Sequence, residues 1–174
     1  DALQYSLSGA GSENFSISST GEITLAASLN FEAQTQYTLE VTSSDGINAM
    51  TEEIIIYVVN DNEAPSLLVQ DFSVSEASSL NSVLTTAVGN DPENSTISYS
   101  LSGGGDKFSI DNNGQIILTD ALDYESNATY ELTVFASDGL FSVPKIITIT
   151  VTDANDAPSL SSSVAFNSFL ENTA

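Results

Sequence analysis

The side chains able to do chemistry in this sequence are carboxylates, and they recur in short motifs. Asp123-Tyr124-Glu125 follows a hydrophobic run, and Asp91-Pro92-Glu93 repeats its spacing. In an extended chain residues i and i+2 point to the same side, so each such pair can share one ion while the residue between faces away. Asp138 precedes Gly139 at a turn, as Asp45 precedes Gly46. Asp153-Ala154-Asn155-Asp156-Ala157-Pro158 completes the series, with Asn60-Asp61-Asn62-Glu63-Ala64-Pro65 as its earlier counterpart. Carboxylates, amide carbonyls and backbone carbonyls are the oxygen ligands of calcium, which takes six to eight of them. One short motif rarely supplies that many, so several must converge.

The missing residue types narrow the chemistry further. The 174 residues include 24 acids and only 2 bases, Lys107 and Lys145, with no Arg, His, Cys or Trp. Without Cys there is no disulfide and no thiolate metal site, and without His zinc is disfavoured. Serine- or cysteine-based catalysis loses its usual base. Asp123 and Glu125 could in principle do acid–base work, but ligand duty explains them better, so the chain is read as not an enzyme. The net charge of −22 offers phosphates no basic surface, which makes nucleic acid a poor partner. That charge also opposes compactness, and divalent cations would offset it. No stretch approaches the ~18 apolar residues of a membrane span, so membrane insertion is not expected. The opening Asp1-Ala2-Leu3 reads as the interior of something larger. For any single acid, the plain alternative is a solvated turn residue on a salt-adapted surface; the ordered series of motifs argues against it.

The elements that must carry these motifs come from an internal repeat. Tyr5-Ser6-Leu7-Ser8-Gly9 recurs as Tyr99-Ser100-Leu101-Ser102-Gly103, an offset of 94. From Phe15/Phe108 through Leu67/Leu160 the offset is 93 without further gaps. Within the unit, Tyr37, Leu39 and Val41 alternate with polar neighbours, as do Tyr130, Leu132 and Val134, and Ile147, Ile149 and Val151. Period-2 alternation marks strands with one face in a core, and turns such as Asn112-Asn113-Gly114 separate them. No helical stripe is evident. The fold expected is all-β, a tandem series of Greek-key, seven-strand β-sandwiches of immunoglobulin-like architecture. Residues 1–64 form a partial repeat lacking its first strands, 65–157 a complete one, and 158–174 the first strand of a third. In that tail Phe169-Leu170-Glu171-Asn172 echoes Val74-Ser75-Glu76-Ala77 if two residues are inserted.

At this point the sequence resembles the cadherin repeat over nearly its whole length. The family pattern runs from a late first-strand Glu through Asp-x-Asp, Asp-x-Glu and an Asp-Gly turn to an Asp-x-Asn-Asp-x-Pro-like linker. Here these positions are similar to Glu76, Asp91-Pro92-Glu93, Asp123-Tyr124-Glu125, Asp45 and Asp138, and the linkers ending at Pro65 and Pro158. The resemblance implies calcium, up to three ions at each junction between repeats. At the first junction it assigns Asn30, Glu32, Asp61, Asn62 and Glu63 to the base and Asp91, Glu93 and Asp138 to the top. At the second it assigns Glu76, Asp123, Glu125, Asn155 and Asp156 to the base. Asp45 would face a preceding repeat. Asn30 and Asn60 stand where acids are expected, and the first junction lacks its first-strand Glu. Fewer than three ions and weaker binding are expected there. The linkers read Asn-Glu-Ala-Pro and Asn-Asp-Ala-Pro, closer to cadherin-like repeats of large bacterial surface proteins than to classical animal adhesion domains.

The function implied is that of a calcium-rigidified structural or adhesive repeat in an extracellular stalk, fibre or adhesin at the cell surface. Its partners are the neighbouring repeats of the same chain. The alternative is a calcium-dependent carbohydrate-binding or homophilic module, although the lack of Trp counts against sugar stacking. Head-to-tail self-association is a further expectation, because the tail strand complements the incomplete first repeat.

Overall fold

The computed structural model describes residues 2–158. The expected third-repeat strand, with Glu171, lies outside the described residues apart from Pro158. Alternating apolar residues and glycine-bearing turns produce a nearly all-β chain. Two single-turn 3-10 helices, Ser12–Asn14 and Gly104–Asp106, are its helical elements among the described residues. The first five strands are β1 (Gln4–Ser8), β2 (Phe15–Ile17), β3 (Ile23–Leu25), β4 (Gln36–Ser44) and β5 (Ala49–Tyr57). They form a three-stranded sheet ordered β1-β4-β5 and a two-stranded sheet β2-β3. In β4, Tyr37 and Leu39 are buried while Gln36, Thr38 and Glu40 face solvent, the alternation that a half-buried strand requires.

Next come β6 (Ser66–Leu68), β7 (Phe72–Ser75), β8 (Val83–Thr86), β9 (Val88–Asn90) and β10 (Ser98–Gly103). They are followed by β11 (Phe108–Ile110), β12 (Gln115–Leu118), β13 (Thr129–Ser137) and β14 (Ser142–Thr152). Their sheets are ordered β10-β13-β14-β7, β11-β12-β8 and β6-β9. Only Val69–Asp71 separates β6 from β7, and only Ala87 separates β8 from β9, so the nine segments make seven stretches. This is the seven-strand β-sandwich expected from the sequence. Strand β7 lies parallel to β14, pairing Thr150 with Ser73 and Val151 with Val74. Strand β8 lies antiparallel to β12.

By compactness the described chain forms two units. The first comprises Asp1–Leu68, Val88–Tyr99 and Phe135–Pro144; the second comprises Val69–Ala87, Ser100–Val134 and Lys145 onward. This partition differs from the sequence periods. Phe15, Tyr37 and Leu39 form the buried core of the first, with Leu7, Ile23, Leu29, Ile54, Ile56 and Val58 half-covered around them. The second buries Phe108, Ile116, Leu118, Leu132, Val134, Ile147, Ile149 and Val151.

The repeat holds in geometry as well as sequence. Phe15 meets Tyr37 edge-on at 5.2 Å between ring centroids, and Phe108 meets Tyr130 at 5.4 Å. Gly9 and Gly103 both have positive φ, and a Cβ at either would fall within 2.9 Å and 2.6 Å of the carbonyl oxygens of Thr38 and Glu131. Only glycine fits that approach.

Candidate metal centre

The acidic motifs fold into turns, not extended pairs. Asn30 Oδ1 accepts the Ala33 N–H at 2.6 Å, and the Asn30 carbonyl accepts the Gln34 N–H at 3.0 Å. Asp123 repeats this: its carboxylate takes the Ser126 N–H at 3.0 Å and the Ser126 hydroxyl at 2.7 Å, and its carbonyl takes the Asn127 N–H. A short polar side chain that captures nearby backbone N–H groups curls the chain. The expectation that Asp123 and Glu125 share one side of an extended segment is therefore corrected. The Ser126 hydroxyl, then its N–H, holds the Asp123 carboxyl below the usual carboxylate range. Asp91-Pro92-Glu93 is likewise a turn, closed by Asn94 N–H on the Asp91 carbonyl at 3.1 Å, with Pro92 presetting its first bend.

These turns bring acids from distant sequence together. In the first unit Glu32, Glu63 and Glu93 each offer a carboxylate oxygen, all within 4.8 Å of one another. Both Glu93 oxygens are buried, and no protein donor hydrogen-bonds to them among the described residues. Glu63 pushes the Glu93 carboxyl above its ordinary value of 4.5, first by sharing a proton with it, then with the help of burial and like charge. Asp91 is only 4% exposed; its Oδ1 accepts the Ser95 N–H at 2.9 Å, while Oδ2 is buried without a partner. Neither lysine offsets these charges: Lys107 pairs with Asp120 at 2.6 Å, and Lys145 is exposed.

Asn62 and Asp138 form the adjoining polar link. The Asn62 amide donates to Asp138 Oδ2 at 2.8 Å and to the Glu63 carbonyl at 3.0 Å. Asp138 Oδ1 accepts the N–H groups of Leu140 and Phe141 at 2.7 and 2.6 Å. The Asn62 amide, then the Phe141 N–H, holds its carboxyl below the usual range. Asp45 makes the same turn bonds with Ile47 and Asn48, and these depress its carboxyl, Asn48 most. Asn30 serves its own turn, and Asp61 is exposed and outside the trio.

A second trio, Glu76, Glu125 and Asp153, lies in the second unit, again with oxygens within 4.8 Å. Glu76 Oε2 accepts the Tyr124 N–H and Oε1 the Ala154 N–H, both at 2.6 Å. Asn155 donates to the Asp156 carbonyl at 3.0 Å, as Asn62 does to that of Glu63. Asp123, Asn155 and Asp156 stand outside this trio. Asp153 is the member that the sequence reading left out of its ligand set. The available signal was its alignment with Asn60, a position already marked as expecting an acid.

The donor set tests well for a hard divalent cation. All candidate ligand atoms are oxygens, and among the described residues the buried carboxylate oxygens of Glu93 and Asp91 Oδ2 have no hydrogen-bond partner. Three carboxylates at this spacing repel unless a proton or a cation lies between them.

The chain is similar to known proteins along most of its length. The sequence model of the cadherin domain matches residues 70–167. Mouse protocadherin Fat 4 is 33% identical over 171 residues, spanning 90% of this chain and 3% of that protein. Mouse cadherin-related family member 2 is 31% identical over 181 residues, spanning 90% of this chain and 14% of that protein. The crystal structure of human protocadherin-24 EC1-2 in its Form II superposes with a TM-score of 0.70 at 25% identity, covering 88% of this chain and 83% of that one. Drosophila N-cadherin EC1-4 gives 0.61 at 25% identity, covering 87% and 41%. The chain thus spans a small part of its curated relatives, and the match of the cadherin-domain model to more than half of its residues shows that it belongs to the cadherin family.

Proposed function

We propose that this chain is a calcium-rigidified segment of an extracellular adhesive or structural array. The observation that carries this reading is the convergence of Glu32, Glu63 and Glu93 from three separate stretches of sequence. Calcium would supply positive charge that lets these carboxylates stand together. Asp91 and the Asn62–Asp138 link would complete the first site, with Asn30 and Asp61 nearer its margin. Glu76, Glu125 and Asp153 would begin the second, together with Asp123, Asn155 and Asp156. Asp45 would serve a preceding repeat. An ion held by segments before and after Pro65 fixes their mutual geometry and turns a hinge into a strut. Extracellular modules bind calcium at ~0.1–1 mM, matching the concentration outside cells, which fits an extracellular or cell-surface place. The array's role is mechanical and adhesive, with no catalytic step.

The test is thermal unfolding and small-angle scattering in calcium and in chelator. At calcium one hundred times Kd, a single site adds about 2.7 kcal/mol of stability. The melting temperature should rise and the scattering profile should stiffen with calcium. Coincident curves in both conditions would overturn the reading.

A further inference from the structure

Among the described residues, three other than glycine hold a positive φ: Asn81, Asn94 and Asp106. Asn94, at φ 60°, directly follows Glu93, a member of the first carboxylate trio. Left-handed backbone crowds Cβ against a carbonyl oxygen, and apart from glycine it is chiefly asparagine and aspartate that tolerate it. Such conformations persist where the surroundings fix them, and they gather at functional sites.

Asn94 ends the turn that carries two of the site's acids. Asp91-Pro92-Glu93-Asn94 closes with the Asn94 N–H on the Asp91 carbonyl at 3.1 Å. Pro92 has no N–H to lose and a φ already set for the second position. One residue beyond the left-handed bend, the Ser95 N–H reaches back to Asp91 Oδ1 at 2.9 Å. An extended backbone at Asn94 would carry that N–H away from the carboxylate. With Oδ1 engaged in the turn, Asp91 Oδ2 stays buried without a partner, as do both oxygens of Glu93. Asp91 as a whole is only 4% exposed. Glu93 meets Glu32 and Glu63 from this same turn, while Asn94 itself is exposed.

We infer that Asn94 is a positioning residue of this centre. Its left-handed backbone, not its side chain, holds Asp91 and Glu93 in the conformation that meets a divalent cation. This role rests on the calcium reading proposed above and extends it to a residue outside the ligand set. Without the ion the gathered carboxylates repel one another, and the two backbone N–H bonds to Asp91 oppose that repulsion. A residue at this position that resists positive φ lets the turn relax. Calcium must then close the turn before it binds, and the apparent affinity falls in proportion to the fraction of molecules still closed.

Calorimetric titration of the full chain with calcium compares the wild type with Asn94→Gly, Asn94→Ala and Asn94→Val. Glu76, Glu125 and Asp153 are the same in every variant, so a loss reads the first centre. Asn94→Gly should bind within roughly twofold of the wild type, because glycine enters the left-handed region freely. Asn94→Val should bind at least roughly tenfold more weakly, because a β-branched residue is an outlier there, and Asn94→Ala should fall between. Circular dichroism in chelator should give the same β-sheet spectrum for all four chains. If Asn94→Val does not fold, a loss in Asn94→Ala that Asn94→Gly recovers carries the test. Wild-type affinity in the folded alanine or valine variant overturns the proposal. So does a loss in Asn94→Gly as large as theirs, which would make the side chain itself a ligand. A wild-type chain that takes up no calcium overturns instead the calcium reading beneath it.

Discussion

Leu25 and Leu118 occupy the same place in the two repeats, yet one is 63% exposed and the other fully buried. Truncating each to alanine should therefore have very different consequences. Leu118 lies opposite Phe108, with its N–H on the Ser82 carbonyl and its own carbonyl accepting from Asn81. Removing three carbons there costs about 2.4 kcal/mol at about 0.8 kcal/mol each. The cavity left behind raises this to about 3–5 kcal/mol. Leu25 keeps only about a third of that contact and leaves no enclosed cavity, so Leu25→Ala should cost less than about 1 kcal/mol. Urea titration followed by circular dichroism reads both. With a slope of ~1–3 kcal/mol per molar, Leu118→Ala should lower the midpoint by roughly 1 M or more, and Leu25→Ala by a few tenths. Equal losses from the two substitutions would refute the reasoning, because Leu25 would then be covered in solution.

Glu93→Gln should act with opposite signs in two conditions. In chelator it removes repulsion from Glu63 and raises the melting temperature, while in calcium it weakens binding by at least roughly tenfold in a calorimetric titration. The pH dependence has two parts. The raised Glu93 carboxyl stabilises the calcium-free fold fully below 4.5 and loses that contribution as pH rises through its folded value. Melting curves in chelator should show this fall, and Glu93→Gln should abolish it. The depressed Asp138 carboxyl contributes stability above its ordinary 3.8 that is lost as pH falls through its lower folded value. Asn62→Ala, which removes the main cause of that depression, should shrink this acid loss in the same melting series.

Much of the fold was legible because strands announce themselves locally. Tyr37-Leu39 and Leu132-Val134 alternate with polar neighbours, and the pleat sends alternate residues into the core. The 93-residue period carried the strand order, the Phe15–Tyr37 and Phe108–Tyr130 pairs, and the Asp45 and Asp138 turns from one repeat to the other. The Asp-x-Glu geometry was not legible. Spacing alone reads Asp123-Tyr124-Glu125 as extended, whereas its side-chain hydrogen bond to Ser126 bends it.

The sequence by itself determined which residues alternate, where turns fall, and that carboxylates outnumber every base that could balance them, since these depend only on neighbours along the chain and on composition. Only the tertiary structure decided that Glu32, Glu63 and Glu93 meet and that Asp153 replaces Asp123 beside Glu76 and Glu125. Those outcomes depend on distances between segments far apart in the chain, and no local pattern of residues encodes such distances.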